Sequence, residues 1–433
     1  MPLFSIIIPI YNTKKYLYKC IKSVLDQKHK RTEIILIEDC STDGSLNVCN
    51  SFKNNPSINI IRHNKNIGVA KSRNEGILAS KGEYILFLDS DDWIYQGCLR
   101  GIEKLIVKKP ETEVIIGKFN SDGFPSSNNI LFKKGNSNTF DGNKFISFIN
   151  QLNYRPMVIW HYIVKKSLIT NKKLNFVDVK NGEDEEFGAR LLCFMKSCSL
   201  YEKNYYWHRT RKKGGLRYSM DFQSTKSFLK ILIEYYKLIS KINLSYEKRK
   251  FINTCIQFAI GEFSARIVLH NKKEINRLSL NFDKFTINSE ISLDKIKDCN
   301  FFLLRKNKKS FTDLLLYKEK VTKNVLNKLK NIKFKFNKIY IYCAAVHGIS
   351  TLLILKKNKF KVTSLIDDNP TLQGQSFMNV GLISGKYFLK KTKQNSSKML
   401  IVVCQQSIKT FNKISNKLKL SGINNNQIVH IMY

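Results

Sequence analysis

Tyr84-Ile85-Leu86-Phe87-Leu88-Asp89-Ser90-Asp91-Asp92 is an apolar run of strand formers that ends in three carboxylates within four positions. A buried strand that delivers clustered acids to its carboxyl end builds a site, because unpaired carboxylates are costly to bury and repel one another. A divalent cation resolves that repulsion, and hard oxygen ligands select Mg²⁺ or Mn²⁺ over softer metals. An ion held by one or two protein carboxylates completes its shell from substrate phosphates. The stretch therefore points to a phosphate compound.

Working outward, the first third of the chain alternates short apolar strands with helical periodicity. Residues 5–9 form a strand stopped by Pro9, and Tyr16, Leu17, Cys20, Ile21, Val24 and Leu25 follow at helical spacing. Residues 33–39 form a second buried strand, again ending in acids; 58–61 is a third, 69–79 a helix, and 114–116 a further strand. This alternation predicts an α/β fold, a mostly parallel sheet with helices on both faces and ligands at the carboxyl ends of the strands. Those ends carry Pro9 to Tyr11, Glu38-Asp39 and the acid cluster.

Four blocks occur in order: Ser5-Ile6-Ile7-Ile8-Pro9-Ile10-Tyr11-Asn12, Ile37-Glu38-Asp39-Cys40-Ser41-Thr42-Asp43-Gly44, Asn66-Ile67-Gly68-Val69-Ala70-Lys71-Ser72-Arg73-Asn74-Glu75-Gly76, and Leu88-Asp89-Ser90-Asp91-Asp92. Together they resemble the signature of glycosyltransferase family two, on the GT-A nucleotide-diphospho-sugar transferase fold. The similarity is strong over residues 1–115 and weaker on to residue 220. The resemblance implies that Pro9 and Tyr11 line a base pocket and that Asp39 accepts hydrogen bonds from a uracil-like base. Asn66, with Gly68, shapes the loop into its helix, and Arg73 lies near the nucleotide. Asp89 reaches the ribose or a metal-bound water, and Asp91 ligates Mn²⁺ or Mg²⁺ on the diphosphate. That metal neutralises charge building on the leaving nucleoside diphosphate. One departure stands out: Cys40 replaces the glycine usual in the tight turn after Asp39.

Asn181-Gly182-Glu183-Asp184-Glu185-Glu186-Phe187 is the second constellation. A sugar transferase needs a base to take the proton of the acceptor hydroxyl. The resemblance puts that base at Asp184, with Glu183 as the runner-up and otherwise orienting or touching the donor sugar; the same acids also suit a helix N-terminus. Trp160-His161-Tyr162-Ile163-Val164-Lys165 and Tyr205-Tyr206-Trp207-His208-Arg209 resemble the family strands on either side, with aromatic faces suited to sugar rings. His208 is a further metal or diphosphate contact, Arg209 or Arg211 pairs with diphosphate oxygens, and Lys212-Lys213-Gly214-Gly215 reads as a basic lid.

Three domains are expected: 1–220 catalytic, 221–335 a helical, lysine-rich extension, and 336–433 a Rossmann-like α/β domain. The extension is helical over 222–269. At 312–335 it carries a basic amphipathic helix that either lies on an anionic membrane or links and covers its neighbours. In the last domain a strand at 338–342 precedes Cys343-Ala344-Ala345-Val346-His347-Gly348, where two of the three dinucleotide-binding glycines are replaced by Cys343 and Ala345. Side chains there obstruct a pyrophosphate, so a degenerate scaffold or docking domain is the better reading.

The 433 residues carry 74 Lys and Arg against 34 Asp and Glu, a net charge of +40. Compositional drift, an anionic membrane surface and nucleic acid are the available explanations; no nucleic-acid motif accompanies the charge, so nucleic acid is not expected as a partner. Ten cysteines without C-x-x-C spacing support neither a zinc ribbon nor a disulfide framework. No segment is apolar enough to span a bilayer, and a strand starting near residue 4 leaves no room for a leader, which predicts a cytoplasmic protein. The expected function is an inverting, metal-assisted transfer of a sugar from a nucleotide-sugar donor, a UDP-sugar, to a hydroxyl of a bacterial glycan or glycolipid acceptor. Capsule, lipooligosaccharide and lipid-linked oligosaccharide are the acceptors considered, with peripheral contact at the cytoplasmic face of the inner membrane. The alternative is an NAD-dependent sugar-modifying enzyme or a non-catalytic scaffold in the C-terminal domain.

Overall fold

The structure, a computed structural model, describes residues 1–121, 131–132, 139–152, 154–155, 158–209, 221–278, 310–330, 336, 338–342, 346–368, 376–377, 380–392, 399–404 and 408–431. The chain divides into two compact units, Met1–Thr210 with Ile242–Asn253, and Arg211–Lys241 with Thr254–Tyr433.

In the first unit the strands are β1 (Phe4–Ile10), β2 (Thr32–Glu38), β3 (Ile58–Arg62), β4 (Tyr84–Phe87), β5 (Trp93–Ile94), β6 (Val114–Ser121), β7 (Thr139–Asp141), β8 (Tyr162–Lys165) and β9 (Ser197–His208). The helices are α1 (Lys14–Leu25), α2 (Ser45–Asn50), α3 (Val69–Ala79), α4 (Cys98–Lys108), α5 (Gly142–Gln151), α6 (Lys166–Asn171) and α7 (Glu183–Phe194). The strands join one sheet in the order β3-β2-β1-β4-β8-β6-β9-β5, with β7 also on β9. The β3-β2-β1-β4 half is parallel, as predicted. The other half is not: β8 runs antiparallel to β4 and β6, and β5 and β7 run antiparallel to β9. β6 and β9 pair in parallel and run in the direction of β4, which brings the end of β9 to the acid turn.

Apolar residues on one face of β1, β2 and β4 (Ile6, Ile8, Leu36, Leu86) pack with Leu17 and Ile21 of α1, the period-two side of the sheet meeting the helical stripe. The first strand does not stop at Pro9. It runs to Ile10 because Ile8 and Ile10 face β2, where the Asp39 amide donates to the Ile10 carbonyl at 2.9 Å. Pro9 faces the other side, beyond the end of β4, so its missing N–H costs no ladder bond. Gly76 allows α3 to lie close on β1, since a Cβ there would meet Ile7 Cγ2 at 2.3 Å.

The second unit opens with α8 (Phe222–Lys241), and α9 (Tyr246–Ile267) crosses the division between units. The helical segment expected over 222–269 is thus two helices with a break at 242–245. Next comes α10 (Ser310–Lys330), which starts two residues before the basic helix expected at 312–335 and overlaps most of it, residues 331–335 lying outside the described residues. Among the described residues no helix is long and apolar enough to cross a membrane. A second sheet follows from β10 (Lys338–Tyr342), α11 (Val346–Lys357), β11 (Val362–Ile366), β12 (Ser376–Phe377), β13 (Val380–Ile383), α12 (Gly385–Thr392), β14 (Met399–Cys404), α13 (Ile408–Lys419) and β15 (Ile428–Ile431). Its order is β12-β13-β11-β10-β14-β15, parallel except for the edge strand β12. Tyr340, Ile366, Ile401, Val403 and Leu418 form its core.

Candidate active site

The strand β4 ends beside β1, where the Leu88 amide donates to the Ile7 carbonyl at 2.9 Å, and the chain then turns tightly, with Asp92 N–H on the Asp89 carbonyl at 2.9 Å. The turn is held from β9. The Tyr206 hydroxyl donates to Asp92 Oδ2 at 2.7 Å, and the Arg209 amide donates to Asp92 Oδ1 at 2.7 Å. Asp92 is buried, and burial, followed by the charges of Asp91 and Asp89, pushes its carboxyl up to about 9. Asp92 therefore anchors the turn. Nothing local in the chain signals this role, because the partners come from residues more than a hundred positions away.

Pairing of Trp93 with Trp207 places His208 and Arg209 alongside Asp91 and Asp92. Arg209 Nε donates to the Asp91 carbonyl at 3.0 Å, and its guanidinium lies over the rings of Tyr16 (4.7 Å) and Trp93 (4.9 Å). His208 stacks on Trp160 at 5.3 Å, with Nδ1 on Ser121 Oγ at 3.1 Å, and Trp160 stacks in turn on Tyr206 at 4.5 Å. The two residues expected to hold a metal, Asp91 and His208, thus stand on adjacent chain segments. Among the described residues no group of three His, Cys, Asp or Glu side chains could hold an ion. One carboxylate and one imidazole fit a cation that takes its remaining ligands from phosphate and water.

Arg73 joins the two acidic constellations. From α3 its Nη1 donates to Glu183 Oε1 at 2.8 Å and its Nη2 to Asp89 Oδ1 at 3.0 Å, while Nε is buried with no hydrogen-bond partner. Its side chain is 4% exposed. Burial works against the charge, but Asp89, Glu183 and Asp184 outweigh it and hold the guanidinium firmly protonated. Arg73 is thus a buried bridge.

Glu183 and Asp184 open α7 behind Gly182, whose φ of +82° suits glycine. Glu183 is buried, and burial raises its pKa against the pull of Arg73. Asp184 is half-buried, with Oδ1 accepting from the Glu185 amide at 2.9 Å. Desolvation, then Glu183 and Glu185, raise its carboxyl well above the ordinary range. A carboxylate raised in this way is a stronger base than a solvated one. Glu186, fully buried, takes Nε and Nη2 of Arg190 at 2.5 and 2.7 Å, so it braces the helix. Phe187 stacks on Phe176 at 4.1 Å and fixes α7 from below.

After the carboxyl end of β1, Tyr11 is 49% exposed, and Pro9 within that strand is half-buried. Asp39 is buried and already occupied: Oδ1 accepts from the Ile67 amide and His63 Nδ1, both at 2.8 Å, and Oδ2 from the Gly68 amide at 2.9 Å. Asn66 Nδ2 donates to the Asp39 carbonyl at 3.3 Å. Asp39 and Asn66 therefore first fix the loop that enters α3, and one lone-pair site on Oδ2 is left. Cys40 adopts the glycine-like conformation with φ of +60°. Arg211 and the expected lid at 212–215 lie outside the described residues, as do Cys343 and Ala345.

Residues 5–165 match the glycosyl transferase family 2 profile. The chain is 31% identical over 280 residues to the poly(ribitol-phosphate) β-N-acetylglucosaminyltransferase TarP of Staphylococcus aureus, covering 62% of this chain and 80% of that one. It is 24% identical over 261 residues to the glycosyltransferase GlyG of Streptococcus pneumoniae, covering 58% of this chain and 86% of that one. The crystal structure of S. aureus TarS 1–349 with UDP-GlcNAc aligns with a TM-score of 0.52 at 20% identity, over 75% of this chain and 92% of that one. That likeness concerns the fold, the α/β GT-A architecture expected from the sequence. The acid turn, the bridging arginine and the extent of similarity to TarP agree: this chain belongs to glycosyl transferase family 2.

Proposed function

We propose that the protein transfers a sugar from a UDP-sugar to a hydroxyl of a bacterial surface glycan, with inversion in a single displacement. The observation that carries this reading is the Arg73 bridge, which unites the acid turn after β4 and the acidic start of α7 in one crevice. The turn offers what a diphosphate needs, and α7 offers a carboxylate held partly out of water beside it. TarP is named for transfer to poly(ribitol-phosphate), and a minor teichoic acid biosynthesis protein of Bacillus subtilis is 29% identical over 265 residues. A polyol-phosphate or other anionic polymer is therefore a natural acceptor beside capsule and lipid-linked glycans. A net charge of +40 favours such a substrate, as it favours peripheral contact with an anionic membrane from the cytoplasmic side.

In this reading Pro9 and Tyr11 flank the base, which meets the remaining lone pair of Asp39, and Asn66 keeps the loop in shape. Asp89, held by Arg73, faces the ribose. Asp91 and His208 hold Mn²⁺ or Mg²⁺, which when bound screens the negative charge of the diphosphate. Asp184 takes the acceptor proton, and Glu183, pinned by Arg73, keeps the start of α7 aligned. Residues 1–220 form the catalytic domain, 221–335 the helical extension and 336–433 a Rossmann-like scaffold whose parallel strand order is that of doubly wound sheets.

The test is turnover of a UDP-sugar panel, with polyol-phosphate and lipid-linked acceptors, in Mn²⁺ or Mg²⁺. Release of UDP that requires an acceptor and is abolished in D184N and D91A is expected. No binding of UDP in either metal, or full turnover in both variants, refutes the reading.

A further inference from the structure

His63 stands at the end of β3 and belongs to no motif singled out in the sequence. Its amide donates to the Glu38 carbonyl at 2.9 Å, which fixes it beside the end of β2. Its ring links two acids from different elements: Nδ1 to Asp39 Oδ1 at 2.8 Å, and Nε2 to Glu75 Oε2 of α3 at 2.6 Å. A neutral imidazole has a single N–H and cannot donate to both carboxylates, so the geometry calls for an imidazolium. The ring is 9% exposed, whereas Glu75 is 40% exposed. Burial disfavours the charge, but the contacts to Glu75 and Asp39 outweigh it and raise the ring's pKa.

An Asp side chain turns easily about its last torsion. The Ile67 and Gly68 amides hold Asp39 from one side only, since both belong to the loop entering α3. His63 is the contact from outside that loop, and Glu75 ties the ring to the second turn of the same helix. We infer that His63 is a positioning residue for donor recognition: by bridging Asp39 and Glu75 it fixes the Asp39 carboxylate toward the nucleotide base. This inference rests on the proposed function, in which Asp39 meets the base. The relay predicts an asymmetry. Asparagine can offer an amide N–H near the Nδ1 position and keep the Asp39 contact, whereas glutamine mimics Nε2 and keeps only the Glu75 contact.

The test is calorimetric titration of UDP in Mn²⁺ into wild type, H63N, H63Q and E75A, with melting temperatures recorded alongside. H63Q should bind UDP about five- to tenfold more weakly, and E75A, altered at the exposed end where misfolding is not expected, about twofold. H63N should stay within about twofold of wild type. Turnover at saturating UDP-sugar should be unchanged within about twofold in all three, the loss falling on the donor KM. Equal affinity of H63Q and wild type, or equal weakening in H63N and H63Q that follows their melting temperatures, overturns the inference and leaves the transferase reading standing. Absence of UDP binding by wild type overturns both.

Discussion

Replacement of Arg73 by methionine tests the bridge on which the site depends. The guanidinium is 4% exposed, its partner Glu183 10% and Asp89 31%. Removing one member of a buried pair typically costs about 3–5 kcal/mol, because a charge is left without compensation. Asp89 is nearly a third exposed and water screens its share, so a loss near the lower figure, about 3 kcal/mol, is expected for R73M at pH 7.5. The cost should also depend on pH. Burial already raises Glu183 while Arg73 opposes it, so the folded-state pKa rises further once the arginine is gone. A group whose folded pKa lies above its unfolded value stabilises the fold fully at pH below the unfolded pKa and loses that stability as pH rises through the folded pKa. The deficit of R73M should therefore be largest at pH 7.5 and shrink toward pH 5. E183Q should recover part of it in the double variant. Urea unfolding followed by tryptophan fluorescence is the assay, since all three tryptophans, Trp93, Trp160 and Trp207, lie in the first unit. A loss under about 1 kcal/mol, with no coupling to Glu183, would show that the bridge does not hold α3 to α7.

Further outcomes follow from the same geometry. D184N should lose about 10²- to 10⁴-fold in turnover while binding UDP within about twofold of wild type; full turnover would move the base elsewhere. Since burial and the neighbouring acids raise Asp184, the acid limb of the wild-type rate profile should lie above that of a solvated carboxylate, and a limb near pH 4 would contradict the burial argument. The same sign makes D184N gain stability over wild type as pH rises, which denaturation at pH 5 and pH 8 would show. H208A should raise the Mn²⁺ concentration needed for half-maximal turnover, and EDTA should abolish turnover; equal metal response in H208A and wild type removes His208 from the metal. C40G should stabilise the protein by about 0.5–1 kcal/mol, because a side chain at positive φ costs more than glycine's extra chain entropy. Against that gain it gives up the long Sγ contact to the Asn64 carbonyl and the packing of a partly buried side chain. Destabilisation by C40G would mean that this contact outweighs the backbone strain.

Periodicity was sufficient for the parallel half of the first sheet, because β1, β2, β3 and β4 are each short apolar runs closed by acids or turn residues within a local βα repeat. It was insufficient for the other half. β6, β8 and β9 look like the same kind of strand, and nothing local in Tyr162-Ile163-Val164-Lys165 says that it runs antiparallel to β4. Pro9 misled for a related reason: its missing donor matters only on a side where a neighbour runs, and β4 has already ended there. In the second unit the strands at 338–342 and 362–366 were legible as apolar runs, whereas the break at 242–245, which belongs to the first unit, was not, because apolar residues at helical spacing continue across it.

The chemical inventory of the site can be read along the chain: an acid cluster at a strand end, a second acidic run opening a helix, and an arginine ahead of both, in a recognisable order. These are local features, set by residue type and spacing. The role each of these groups takes is set by the packing of distant elements. Asp92 is a brace because Tyr206 and Arg209 reach it from β9, Arg73 is a bridge because α3 and α7 converge on it, and Asp39 is held by His63 because β2 and β3 end side by side. The physical reason is common to all three. A charged side chain takes its role from the partners that surround it once water is excluded, and those partners lie 16 to 117 residues away along the chain.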